Sequence, residues 1–322
     1  MNPISILGYH IREAGSTAVQ ELAFTFADAI SYVESALARG LAIDEFASRL
    51  SFFFNAHSNF LEEVAKFRAA RRIWAKIVKE RFKAKEDRSM QLRFHTQTAG
   101  STLTAQQPLV NIARTTIEAL SAVLGGTQSL HTNGYDEALS LPSEEAASVA
   151  LRTQQVIAYE SGVVDVIDPL AGSYYLESLT DDIENQVFEL LAEIEQKGGM
   201  IKAISESYPQ DAIEQSAYQF QRDLEQKKKI IVGVNEFVEQ ETVCANEFAL
   251  NPKSEAEQFK KIQVYKNNRD SSAVTKSLTK LKQDAIDDNN ILPTVIESLE
   301  AKATLGEISD TLRDVYGTYS AI

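Results

Sequence analysis

The chain has 322 residues, 44% hydrophobic and 24% charged, with a formal net charge of -14, which excludes a general polyanion-binding role; no nucleic-acid partner is expected. A single cysteine, Cys244, excludes an internal disulfide framework and a cysteine-based zinc site and fits a reducing compartment. No apolar stretch reaches the roughly 18 residues of a membrane span and no basic segment with an apolar core opens the sequence, so no membrane association and a cytoplasmic location are expected.

The length suggests two domains. In chain order, four β/α units are predicted first. A strand over residues 4–9 precedes a helix over 17–39, which Arg39 and Gly40 end. A strand over 50–54 precedes a long helix over 60–83 with an apolar stripe at Leu61, Val64, Ala65, Ile73 and Ile77. A strand over 91–95 precedes a helix over 108–123, and a short strand over 127–130 precedes a helix over 143–160. From about residue 165 the pattern is helical: a turn at Asp168–Gly172, a stripe over 179–197 at Ile183, Val187, Leu190, Leu191 and Ile194, a polar stretch over 251–287 and an amphipathic piece over 291–316. Residues 66–88 hold ten Lys/Arg against three acids and are expected to form a solvated outer helix face.

All four histidines close similar apolar, β-forming phrases: His10 after Ile-Ser-Ile-Leu-Gly-Tyr, His57 after Phe-Phe-Phe-Asn-Ala, His95 after Gln-Leu-Arg-Phe and His131 after Thr-Gln-Ser-Leu. This is the rhythm of a parallel β/α array that delivers imidazoles to the carboxyl ends of its strands, where such folds build active sites. Four units make either a small open sheet with two unpaired edges or half of an eight-stranded barrel that needs another chain to close it.

Tyr9 and His10, between Gly8 and Gly15, offer two adjacent donors to a substrate carbonyl. Arg93, His95 and Gln97 alternate, which places them on one strand face, a costly arrangement unless they meet a polar ligand or one another. Arg49 and Ser51 form a similar pair on the second strand. Gln128, Asn133 and Glu137 follow the Gly125-Gly126 pair in a segment that could bind ribose hydroxyls or form a plain turn. Nucleotide-phosphate glycine loops, His-Glu-x-x-His and Gly-x-Ser-x-Gly are absent, and no metal site is expected.

The phrases Ile-Ser-Ile-Leu-Gly-Tyr-His-Ile-Arg-Glu-Ala-Gly, Ala-Lys-Phe-Arg-Ala-Ala-Arg-Arg-Ile-Trp-Ala, His-Thr-Gln-Thr-Ala-Gly, Gly-Gly-Thr-Gln-Ser-Leu-His-Thr-Asn and Asp-Pro-Leu-Ala-Gly-Ser-Tyr-Tyr resemble the large subunit of methylmalonyl-CoA mutase and its acyl-CoA mutase relatives. The resemblance runs from residue 2 to residue 237. It implies an α/β fold, the C-terminal half of a TIM (β/α)8 barrel over residues 1–160, a helical extension over 161–237 and a helical tail over 238–322. It also implies a radical carbon-skeleton isomerisation that uses adenosylcobalamin, with coenzyme A threading the barrel axis. By this resemblance Tyr9 packs against the substrate and His10 bonds the thioester carbonyl; Arg49, Ser51, Arg93, His95 and Gln97 bind substrate; Gln128, Asn133 and Glu137 bind the cofactor. The family's first four strands and its Asp-x-His-x-x-Gly cobalamin motif are not in this sequence. The partners implied are therefore an acyl-CoA substrate, a cobalamin-binding small subunit that supplies the lower cobalt ligand, and a chain supplying the first four strands. Methylmalonyl-CoA is the first choice of substrate; isobutyryl-CoA or 2-hydroxyisobutyryl-CoA, or a truncated non-catalytic remnant, are the alternatives.

Overall fold

A computed structural model of the protein describes residues 4–239 and 252–318; Cys244 lies outside them. The chain divides into two compact units, Met1–Phe248 and Ala249–Ile322. In the first unit β1 (Ser5–Leu7) leads into a short helix α1 (Tyr9–Glu13) and a long helix α2 (Ala18–Ala38). A helical turn α3 (Ile43–Phe46) precedes β2 (Ser51–Ala56), α4 (Phe60–Lys76), the turn α5 (Asp87–Met90) and β3 (Phe94–Thr98). Then come α6 (Val110–Leu124), β4 (Ser129–His131), α7 (Glu144–Glu160), α8 (Tyr174–Gln196), α9 (Met200–Ser205) and α10 (Tyr208–Glu225). The strands form one parallel sheet in the order β1-β2-β3-β4, the arrangement that repeated β/α units generate.

Local chemistry sets the helix ends. Thr17 and Gln20 close a capping box at the start of α2, Gly40 (φ 89°) follows its end, and Ser143 accepts from Ala146 N–H at the start of α7. The predicted 60–83 helix is α4 followed by a π-helical turn, Ile77–Arg81.

One face of the sheet is covered and one is open. Ile6, Phe52, Phe54 and Phe94 point to the helices and are buried against Phe26, Phe67 and Trp74. Trp74 lies 4.8 Å from Phe52 and 5.9 Å from Phe26, centroid to centroid. α8 packs over α2 and α4.

Seven of the ten basic residues of the 66–88 segment are exposed, as a solvated face expects, and the departure lies at its start. Lys66 is fully buried, and Arg68 is largely so, paired with Glu177 at 2.7 Å. Arg72 binds Asp181 and Glu184, Lys76 binds Glu184, and Arg81 binds Glu34 and Glu195. The excess positive charge on α4 is met by acids of α8 and α2, a complementarity between distant segments that composition along one helix does not reveal.

The second unit contains α11 (Pro252–Asn267), α12 (Ser271–Ile286), α13 (Leu292–Glu300) and α14 (Leu305–Tyr316). The single amphipathic piece predicted over 291–316 is thus two helices, because Thr304 caps a new one in a capping box with Glu307. Val274, Leu281, Ala303 and Ile308 form the core of this unit, and Arg269 clasps Glu307.

Candidate active site

The site is built where β1 stops. Gly8 N–H donates to Phe53 O at 2.8 Å, and the backbone then turns into α1. A Cβ at Gly8 would lie 2.5 Å from Thr25 Oγ1 and 3.0 Å from the Phe54 ring, so the turn runs this close to α2 only because glycine has no side chain. The predicted strand over 4–9 is consequently shorter, and Tyr9 and His10 sit on a helix beyond the strand rather than on its last residues. Tyr9 is buried, with its ring stacked on Phe53 at 4.8 Å; His10 is exposed, edge-on to Tyr9 at 5.5 Å. Burial, reinforced by the charge of Glu13, raises the Tyr9 phenol above its ordinary value, and its hydroxyl reaches Asn133 and the Gly100 backbone. Tyr9 therefore stays a protonated donor at neutral pH.

Glu13 gathers this end of the sheet. Its carboxylate accepts from Asn55 Nδ2 (2.6 Å), Gly100 N–H (3.1 Å), Ser101 N–H (2.9 Å) and Ser101 Oγ (3.2 Å). It thereby ties α1 to the end of β2 and to the loop after β3. Beside it, Gln97 Nε2 donates to Asn133 Oδ1 at 2.8 Å, and Asn133 Nδ2 donates to Thr98 O at 3.0 Å. Asn133 is buried in this network, whereas Glu137 is exposed. Partial desolvation by the surrounding protein raises the Glu137 carboxyl, helped by the charges of Asp136 and Glu13.

The open face carries two aligned rows. In register, Leu7, Phe53, His95 and Ser129 form one, and Asn55, Gln97 and His131 the next. His95 Nδ1 pairs with Ser129 Oγ at 2.8 Å, and its ring lies 4.9 Å from Phe53. Burial lowers the pKa of both His95 and His131, with His131 adding to the effect on His95. Both imidazoles are therefore neutral near pH 7, able to donate on one nitrogen and accept on the other.

The remaining candidates lie at the opposite end. β3 runs three residues further than expected, because Thr96, Gln97 and Thr98 pair with Phe54, Asn55 and Ala56. Arg93 therefore precedes the strand, and His95 is its second residue rather than its close. Arg49 is exposed in a 3-10 turn ahead of β2 rather than on the strand, while Ser51, the first residue of β2, donates to Ile4 O at 3.3 Å. Gln128, expected beside Asn133 and Glu137, instead accepts from Phe94 N–H at 2.8 Å and donates to Gly126 O at 2.7 Å, at the amino-terminal edge of the sheet. The candidates thus form two groups: Tyr9, His10, Gln97, Asn133 and Glu137 at the carboxyl ends, and Arg49, Ser51, Arg93 and Gln128 at the amino ends. His95 lies between them.

His57, at the end of β2, touches Ser58 Oγ (3.1 Å); burial first, and the Arg12 cation second, push its pKa down to about 3. A depressed basic pKa contributes stability that is present above the unfolded value of 6.5 and lost as pH falls toward 3. His57→Gln is expected to remove this dependence. Between pH 7 and pH 4 the wild type should lose on the order of 2 kcal/mol more than the variant, read from urea midpoints at both pH values.

Fold and site together define a parallel α/β protein whose polar open face leads from one end of the strands to a tyrosine–histidine pair at the other. The family model described as methylmalonyl-CoA mutase matches residues 1–318, and the chain belongs to that family. It is 50% identical over 320 residues to the 2-hydroxyisobutanoyl-CoA mutase large subunit of Aquincola tertiaricarbonis, covering 99% of this chain and 57% of that protein. It is 46% identical over 334 residues to methylmalonyl-CoA mutase of Rhizobium meliloti (strain 1021), covering 100% and 45%. With the mitochondrial methylmalonyl-CoA mutase of Homo sapiens the identity is 44% over 322 residues, covering 99% and 43%. The chain spans about half the length of the curated relatives it matches.

Glu13 lies in the Gly8–Gly15 segment beside Tyr9 and His10, but nothing in its sequence context marks its carboxylate as an organising group. Asn55 ends an aromatic run that reads as core. Among the described residues, no helix is long and apolar enough to cross a membrane.

Proposed function

We propose that this chain is the C-terminal half-barrel of an adenosylcobalamin-dependent acyl-CoA mutase, with residues 1–160 as the half-barrel, 161–237 as helices completing it and 238–322 as a tail. The observation that carries the reading is the open sheet face. Its polar and aromatic groups (Phe53, His95, Gln97, Ser129 and His131) lie half-exposed or exposed while the opposite face is sealed by helices. A (β/α)8 barrel would turn that face inward along its axis. Candidates at both ends of the strands suit an acyl-CoA laid along that axis, with its thioester near Tyr9 and His10 and its pantetheine arm toward Arg49, Ser51 and Arg93.

The residues at the carboxyl ends fit one side of adenosylcobalamin. Glu137 is an exposed acceptor for ribose hydroxyls; Asn133, already bonded to Thr98 and Gln97, shapes the wall more than it offers free donors. When bound, that cofactor supplies the radical that starts a skeletal rearrangement. The protein's own share is to hold the thioester carbonyl with His10, to pack Tyr9 on Phe53 against the substrate and to keep neutral imidazoles along the path. A cobalamin-binding small subunit is the proposed source of the lower cobalt ligand, a reading supported by the name "large subunit" of one relative. The proposed substrate is (R)-methylmalonyl-CoA, isomerised to succinyl-CoA. The 50% identity to a 2-hydroxyisobutanoyl-CoA mutase subunit favours a second reading, in which that acyl-CoA is the substrate.

The test is co-expression with polypeptides supplying the first four strands and the cobalamin domain, followed by light scattering and assay of both acyl-CoAs with adenosylcobalamin. A 1:1 complex of the two half-barrels that isomerises one of them is expected. A chain that captures no partner, or a complex that converts neither of these acyl-CoAs nor isobutyryl-CoA, would mean a non-catalytic remnant.

A further inference from the structure

Lys66, fully buried in α4, is the group at which this part of the molecule is most unusual. Its ammonium makes three hydrogen bonds, to Glu21 Oε2 (2.7 Å), to Asn55 O (2.7 Å) and to Glu63. Glu21 Oε1 in turn accepts from Asn55 N–H at 2.8 Å. Both backbone groups of Asn55 are therefore held by side chains from α2 and α4.

The sheet explains why. Phe52 N–H bonds to Arg93 O and Ala99 N–H bonds to Ala56 O, so the even residues of β2 address β3, while Phe53 O, which accepts from Gly8 N–H, addresses β1. Alternation turns Asn55 toward β1 as well. However, β1 pairs with β2 only as far as Leu7 opposite Phe53, since the chain leaves at Gly8 to form α1. The N–H and C=O of Asn55 would be buried without partners, an arrangement folded proteins avoid. Glu21 and Lys66 stand in for the strand that is not there.

The same charges reach α1. Arg12 Nε lies 4.0 Å from Glu21 and Arg12 Nη2 lies 3.7 Å from Glu63. Burial raises the Glu21 carboxyl, only partly offset by Lys66 and reinforced by Glu63. For Glu63 the same burial is outweighed by Lys66 and Arg12, which hold it below the usual range.

We propose that Lys66 is a positioning residue for the candidate active site: by replacing the missing β1 rung and fixing the two carboxylates that face Arg12, it sets α1, and with it Tyr9 and His10, against Phe53. The proposal rests on the acyl-CoA mutase reading only for its effect on turnover, not for its effect on the position of α1.

The test uses the full chain labelled with 13C at tyrosine rings and imidazoles, with Tyr9 assigned by Tyr9→Phe and His10 by His10→Asn. Two variants are compared with the wild type. Lys66→Met removes the cation alone; Lys66→Met with Glu63→Met also removes one carboxylate, leaving Arg12 opposite Glu21 with no net charge stranded. The folded variants are expected to lose the ring-current displacement that stacking on Phe53 gives Tyr9, and to show a broadened or doubled His10 signal, with His131 unmoved. In the reconstituted complex, kcat should fall by about tenfold to a hundredfold, with KM for the acyl-CoA within about threefold, as expected when reacting groups are misplaced by an ångström or less.

A folded double variant with wild-type Tyr9 and His10 signals overturns the proposal. So does failure of both variants to fold, which would make the network a support of the whole sheet rather than of α1. If the wild-type complex has no mutase activity, the functional reading fails by itself and the two signals still decide the role of Lys66.

Discussion

His10→Ala is expected to lower turnover of the reconstituted complex by about 10²- to 10³-fold, the loss typical of one donor aimed at a carbonyl that gains charge, or about 3–4 kcal/mol of barrier. The structure makes this a clean experiment. His10 is exposed and its side chain supports nothing in the core, so truncation should leave thermal unfolding within roughly 0.5 kcal/mol of wild type. Tyr9 remains stacked on Phe53 and hydrogen-bonded near Asn133 whether or not the neighbouring imidazole is present. The loss should therefore appear in kcat and kcat/KM together, with unfolding unchanged. Undiminished turnover would remove His10 from the proposed chemistry.

The largest stability effect is expected at Trp74. Truncation to alanine should cost about 3–5 kcal/mol, the range for a large aromatic removed from a packed interior. Trp74 is completely buried on α4 and meets Phe26 of α2 and Phe52 of β2, so its removal opens a cavity at the junction of two helices and the sheet. Collapse into that cavity is opposed by the ion pairs that tie α4 to α8, through Arg68, Arg72 and Lys76. Trp74→Phe should recover more than half of the loss, since most of the contact area is kept. Urea unfolding followed by circular dichroism measures both, as the substitutions remove the only tryptophan. A loss below about 1 kcal/mol for Trp74→Ala would mean that the core is far looser than these contacts imply.

The four β/α units were legible because their signals are local. Apolar, β-forming phrases each close in a histidine, and the helices between them carry period-3.6 stripes, with Thr17 and Ser143 as caps of two of them. Tyr9 and His10 were legible from their place at a strand end and Arg93, His95 and Gln97 from their alternate spacing, and the alternation does put His95 and Gln97 on one face. Strand limits were less legible. β3 extends through Thr98 because Asn55 and Ala56 are present to pair with it, and no property of residues 91–98 alone says so.

What the sequence by itself determined, then, is the order of the four main β/α units, their parallel arrangement and the family, since these follow from periodicity, capping and residue identity within short windows. Only the tertiary structure decided that Gln128 sits at the opposite end of the sheet from Asn133. It likewise decided that Glu13 ties α1 to two other segments and that Lys66, read as part of a solvated basic face, is a buried cation completing the end of β2. The physical reason is the same in each case: a polar group's role is set by which unsatisfied partner the fold brings to it, and those partners lie tens of residues away along the chain.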